Sequence, residues 1–170
     1  MARSSFVNPL ENLINGDVNF IRASWDRLSP IPGGKLIFSK MVGRAAPYTG
    51  SIGAVVEELR SGYAKVSLRD RPSVRNHLKS IHAIALLNLA ELTGNIALSY
   101  SLPDDARFIV AGMSIDYVKK SRGTIVGECQ LEPILSSERA EYEVHVEMKD
   151  GAGDVVARSI LRTLVGPKKR

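Results

Sequence analysis

The stretch Ile81-His-Ala-Ile-Ala-Leu-Leu-Asn-Leu-Ala-Glu-Leu-Thr-Gly-Asn-Ile-Ala-Leu98 decides how the rest of the chain is read. It is too long for a strand and rich in the helix formers Ala and Leu, so it predicts a helix. Its apolar residues run nearly all round rather than along one stripe, so such a helix has to be covered on most sides. His82, Asn88, Glu91, Thr93 and Asn95 interrupt the run, which does not read as a membrane span.

Outward from that helix the period changes to two. Upstream, Ser51 to Leu59 and Tyr63 to Arg69 are joined through Arg60-Ser-Gly62, and Ala64, Val66 and Leu68 alternate with Lys65, Ser67 and Arg69, the pattern of a half-buried hairpin. Downstream, four strands are predicted: Arg107 to Tyr117, Thr124 to Leu131, Ala140 to Lys149 and Val155 to Val165. The turn-forming stretches Lys119-Lys-Ser-Arg-Gly123, Leu135-Ser-Ser137 and Asp150-Gly-Ala-Gly-Asp154 separate them. In the third, Ala140, Tyr142, Val144, Val146 and Met148 alternate with charged or polar residues, giving one apolar and one wet face. The order is two strands, a buried helix, then four strands. A curved antiparallel sheet of about six strands wrapped round a long helix satisfies it, an α+β arrangement known as the hotdog fold.

The N-terminal part reads as helical. Asn8 and Pro9 suit a cap and first turn, and Val18, Ile21, Trp25 and Leu28 make an amphipathic stripe that Ser29-Pro-Ile-Pro-Gly-Gly34 should end. A second helix over Lys35 to Arg44, with Leu36, Ile37 and Met41 as its apolar side, would stop before Pro47. The expected organisation is a helical extension over residues 1–46 and one hotdog domain over 47–170.

Composition narrows the function. The chain has 170 residues, 44% of them hydrophobic and 24% charged, as in an ordinary packed domain. Its 23 Lys and Arg exceed 18 Asp and Glu, for a net charge of +5. The basic residues are scattered and no aromatic–basic stacking motif accompanies them, so nucleic acid is not the expected partner. One cysteine, Cys129, permits neither an internal disulfide nor a cysteine-built zinc site, and with no basic and apolar leader pattern a cytoplasmic setting is expected. Neither a Gly-rich phosphate loop, nor a Gly-x-Ser-x-Gly elbow, nor a metal-ligand cluster stands in the sequence, so neither a metal nor a cofactor is expected.

Chemistry concentrates in Arg75-Asn-His-Leu-Lys-Ser-Ile-His-Ala-Ile-Ala-Leu-Leu-Asn-Leu-Ala-Glu91. On a 3.6-residue helix Ile84, Asn88, Glu91 and Asn95 share a face, a polar stripe on an otherwise greasy element. One reading is structural: Asn88 and Asn95 bond across a subunit interface and Glu91 pairs with Arg75 or Lys79. The other is catalytic: a carboxylate in an apolar site is a candidate base or nucleophile, and the first helical turn offers free N–H groups to a developing negative charge.

The spacing Asn76, His82 and then Glu91 nine residues on resembles the motif of hotdog thioesterases related to the phenylacetyl-CoA thioesterases. There an Asn or Gln precedes a His-Gly-Gly helix start and an acid follows inside the helix. Ile115-Asp-Tyr-Val-Lys-Lys-Ser-Arg-Gly123 and Asp150-Gly-Ala-Gly-Asp-Val-Val-Ala157 also resemble that family, and the likeness extends over about residues 51–165. The N-terminal helices and Ala46-Pro-Tyr-Thr-Gly-Ser51 resemble a less studied subgroup. The resemblance implies an acyl-CoA thioesterase: Glu91 activates water or attacks the thioester, the Ala83 N–H holds the oxyanion, and Asn76 orients water or substrate. It also implies a site shared across a homodimer, with a dimer of dimers as a further arrangement. His82 stands at the helix start, either holding a loop or moving a proton. Lys119, Lys120 and Arg122 lie where the phosphates of coenzyme A, part of the substrate and not a cofactor, are often held. Ala83 and Ile84 replace the two glycines, and this feature favours the alternative of a non-catalytic acyl-CoA or lipid-binding hotdog module. A hydratase would set a histidine base beside an acid in another context, which is absent here.

Overall fold

A computed structural model describes residues 18–168. Asn8 and Pro9 lie outside the described residues. The six strands are β1 (Val55–Arg60), β2 (Tyr63–Leu68), β3 (Ala106–Tyr117), β4 (Ile125–Gln130), β5 (Ala140–Lys149) and β6 (Val155–Pro167). They form one antiparallel sheet in the order β1-β2-β4-β5-β6-β3. The predicted alternation holds: Ala64, Val66 and Leu68 of β2 and Val144, Val146 and Met148 of β5 are all buried.

Among the described residues, four α-helices accompany the sheet: α1 (Phe20–Leu28), α2 (Gly34–Ala45), the single turn α3 (Pro47–Gly50) and the 19-residue α4 (Ala83–Ser101). The long apolar run is α4, and it lies on the concave face of the sheet as the hotdog arrangement requires. It approaches the sheet where glycines permit. A Cβ on Gly94 would come within 3.1 Å of Val144 and Leu161, and one on Gly127 of β4 within 2.6 Å of the Thr93 hydroxyl. Gly94 costs the helix about 1 kcal/mol of propensity relative to alanine, and that cost goes to bringing helix and sheet into contact.

α1 packs on α4, and α2 lies beside it against α1, α3 and β1, so the two make a second, helical layer. Asn19 caps α1, its Oδ1 accepting the Arg22 N–H at 3.0 Å, while its Nδ2 donates to the Ser99 carbonyl at 2.5 Å. The cap therefore also fastens α1 to the end of α4. Trp25 and Phe38 meet edge to face with centroids 5.1 Å apart, and both belong to the same buried cluster as the sheet. This corrects the expected apolar side of the second helix: Leu36 and Ile37 are 47% and 53% exposed, whereas Phe38 is fully buried. Val18 too is exposed and precedes α1 rather than continuing its stripe. The region before β1 is not extended from Ser51 as expected, because α3 and a turn occupy residues 47–52.

Candidate active site

The start of α4 is held by its neighbours. The Ile81 N–H donates to the Ser121 carbonyl and the His82 N–H to the Val74 carbonyl, at 2.9 and 2.8 Å. Asp70 ties the two flanking loops, accepting from Arg75 Nε at 2.6 Å and from the Gly123 N–H at 2.9 Å. The Arg75 hydrogen bond, helped by the Gly123 N–H and the charges of Arg75 and Arg122, holds the Asp70 carboxyl below the usual carboxylate range. Tyr117, at the end of β3, donates its hydroxyl to the Ala83 carbonyl at 3.0 Å, and desolvation raises its pKa. The helix entrance is thus braced from both loops and from the sheet edge.

His82 caps α4, its Nδ1 accepting the Ile84 N–H at 3.1 Å. One first-turn donor is consumed in this way, and the Ala83 N–H is left without an acceptor among the described residues. Asn76 braces its own loop: its Oδ1 accepts from the N–H groups of Leu78 and Ser80 at 2.9 and 3.3 Å and from the Ser80 hydroxyl at 3.2 Å. Only the amide Nδ2 of Asn76 is left to meet a ligand. His77 is exposed beside it.

From Ile84 to Leu98 the positions of α4 that are not buried are Ile84, Leu87, Glu91 and Asn95, one strip at three- and four-residue steps. Glu91 is half-buried on that strip and makes no hydrogen bond or ion pair among the described residues. Arg75 is taken by Asp70, so the expected pairing of Glu91 with Arg75 does not form. Asn95, one turn on, keeps its Oδ1 buried and without a donor. Asn88 is turned away from the strip, its Nδ2 donating to the Tyr48 carbonyl at 3.1 Å.

The expected phosphate loop is partly engaged. Lys119 lies 2.8 Å from Asp150 and 2.7 Å from Asp154, whereas Lys120 and Arg122 are exposed and in no ion pair among the described residues. Cys129 is buried and its thiol is pushed up to about 12 by desolvation, so it is protonated near neutral pH and unsuited to nucleophilic attack. Among the described residues no three His, Cys, Asp or Glu side chains are grouped to hold a metal ion, and no helix is long and apolar enough to cross a membrane.

Two cavities flank α4 on the side of the helical layer. One of about 290 Å³ is lined by Ile21, Val42, Leu92, Asn95, Ile96 and Ser99, among others. A wider groove of about 670 Å³ shares Val42, Thr49 and Leu92 with it and carries Lys40, Arg44 and Arg71 with no acidic side chain in its wall. Neither cavity was legible in the sequence, since each is walled by residues distant along the chain.

Comparison with known proteins agrees with this architecture. A structural-genomics crystal structure is 30% identical, covering 87% of this chain and 99% of the other at a TM-score of 0.77. A protein of unknown function from Pseudomonas aeruginosa, described as a probable thioesterase, is 24% identical over 81% of this chain and 97% of its own, with a TM-score of 0.71. A thioesterase of Haemophilus influenzae shares the fold at 11% identity, covering 78% and 90% of the two chains with a TM-score of 0.67. No curated protein matches the sequence. A family model, the domain of unknown function DUF4442, matches residues 34–165. The chain therefore belongs to the DUF4442 family and has the hotdog fold of thioesterase-like proteins.

Proposed function

We propose that the protein hydrolyses an acyl thioester of coenzyme A at a site built by two copies of the chain. The observation that carries this reading is Glu91, a half-buried carboxylate on an apolar helix with no partner among the described residues. Beside it, Asn95 Oδ1 is a second acceptor lacking a donor. A water that donates one hydrogen to each directs a lone pair outward. Glu91 takes the proton as the oxygen attacks the thioester carbon, and the Ala83 N–H stabilises the oxyanion. Collapse then breaks the C–S bond, and the proton on Glu91 passes to the departing thiolate, giving a carboxylic acid, the free thiol and the ionised carboxylate again.

The need for two copies follows from length. Ala83 and Glu91 lie eight residues apart on one helix, about 12 Å along its axis, and reacting groups must come within about 3.5 Å. A single chain cannot bring both to one carbonyl, whereas the helix entrance of a second copy can reach Glu91. β3 supplies the contact surface: it is an edge strand, and Ile109, Met113 and Tyr117 are 66%, 41% and 48% exposed. An exposed apolar edge strand favours pairing with its own copy. Lys120 and Arg122 are the loop cations free to receive the phosphates, since Lys119 is held by two aspartates.

Glu91→Gln is expected to lower thiol release from acyl-CoA by about a hundredfold or more while the mass in solution is unchanged. Turnover near wild type would remove Glu91 from the mechanism. The exposed side chain of Ile84, at the second glycine position of the resembling motif, favours the alternative of a binding module. Calorimetric binding of acyl-CoA with no thiol released by the wild type would select that alternative.

A further inference from the structure

We propose that the cavity of about 290 Å³ between the helical layer and α4 is the acyl-chain site, and that the substrate carries an unbranched aliphatic chain of intermediate length. This rests on the hydrolase reading above and specifies the part of the substrate that reading leaves open.

Position is the first argument. Asn95 belongs both to the open strip that bears Glu91 and to the wall of the cavity. A carbonyl held at Glu91 therefore has the cavity one helical turn away, and Ile96, Ser99 and Leu102 continue the wall toward the end of α4. Glu91 to Ser99 is eight residues, about 12 Å along the axis, so the acyl chain would run along the helix that bears Glu91, toward its C-terminal end.

The second argument is the chemistry of the wall. Ile21, Val42, Leu92, Ile96 and Phe108 supply apolar surface, and no acidic side chain lines the cavity. Its polar members are largely engaged: Asn19 bonds to Ser99, Leu102 and Arg22, and Arg107 Nε donates to the Pro167 carbonyl at 3.2 Å. A saturated chain leaves these bonds intact. An apolar cavity of ~150 Å³ holds one benzene, so this one has room for roughly a dozen carbon atoms.

The third is construction. The six-stranded sheet and α4 already make the hotdog unit, and α1, packed on α4 with α2 beside it, adds a roof whose Ile21 and Val42 line the cavity. Asn19 and Arg22 pin that roof to the last turn of α4, with Arg22 Nη2 donating to the Leu102 carbonyl at 2.8 Å and to Asp104 at 3.1 Å. Beneath the roof lies the cavity, and Asn95 is common to its wall and to the strip with Glu91. The length limit of the substrate is then set by the N-terminal helices.

The test measures kcat/KM of the wild type and two variants on acetyl-, hexanoyl-, decanoyl-, hexadecanoyl- and benzoyl-CoA, with thermal melting to verify folding. Ser99→Phe fills the cavity from a half-buried position and is expected to lower the ratio of decanoyl to acetyl turnover by about tenfold or more, chiefly through KM. Phe108→Ala widens the cavity and is expected to move the optimum to longer chains. A wild type that prefers acetyl or benzoyl groups, or a chain-length profile unchanged in both folded variants, overturns the proposal. If no acyl-CoA is hydrolysed, the hydrolase reading fails separately, and calorimetry with the thioether S-decyl-CoA decides the cavity. Binding weakened by Ser99→Phe but not by Glu91→Gln supports it, and binding indifferent to Ser99→Phe overturns it.

Discussion

Glu91 and Asn95 stand one helical turn apart, and what separates them from the many polar pairs on helix surfaces is that neither has a partner among the described residues. Buried polar atoms are nearly always bonded, so an acceptor without a donor beside a free carboxylate marks a place where something else donates. A water meets that need. Asn95→Ala is expected to lower kcat by up to about a hundredfold by misplacing the nucleophile, with KM for the acyl-CoA changed little. Steady-state kinetics of the folded variant checks this, and a loss confined to KM would make Asn95 a wall residue only. His82 shows the opposite case: its imidazole is committed to the Ile84 N–H as a cap, a structural use that leaves the neighbouring Ala83 N–H unoccupied.

The elements matter through their edges. β3 pairs with β6 along one side and presents its other side unpaired, with Ile109 and Met113 exposed. Met113→Lys places a charge on that surface and, if two copies build the site as proposed, is expected to give a monomer that has lost most of its thiol release, because each Glu91 then lacks a second helix entrance. Sedimentation and activity measured together test it, and a monomer as active as wild type would show that one chain suffices. α4 joins two unlike surfaces: its face with Gly94 takes the sheet at contact distance, and another flank takes α1 and, with it, the cavity lined by Ile21 and Val42. The strip with Glu91 is the seam between them.

At the scale of the whole molecule, ion pairs brace the connection before α4, where Asp70 meets Arg75, and join β4 to β5, where Glu128 meets Lys149, and they make stability depend on acid. Hydrogen bonding to Arg75 lowers the pKa of Asp70, and hydrogen bonding to Lys149 lowers that of Glu128. Groups with depressed folded pKa values stabilise the native state above their unfolded values, about 3.9 for Asp and 4.3 for Glu, and lose that contribution as pH falls through the folded ones. The melting temperature is therefore expected to fall below about pH 4, and Asp70→Asn to lower it at neutral pH while flattening the acid limb. A variant whose melting curve tracks wild type from neutral to acid pH would show that Asp70 contributes nothing. Much of this protein was legible in one dimension. An apolar run too long for a strand and broken by a single polar stripe announced α4, alternation announced β2 and β5, and the resemblance carried by the spacing of His82 and Glu91 pointed to the helix entrance and its carboxylate, because periodicity and spacing are properties of a local backbone. The tertiary structure alone decided that Phe38 rather than Leu36 and Ile37 faces inward, that Arg75 serves Asp70 and not Glu91, that two aspartates hold Lys119, and that the helical layer encloses a cavity. Each of these depends on which surfaces meet after folding, and partners far apart along the chain leave no local period to read.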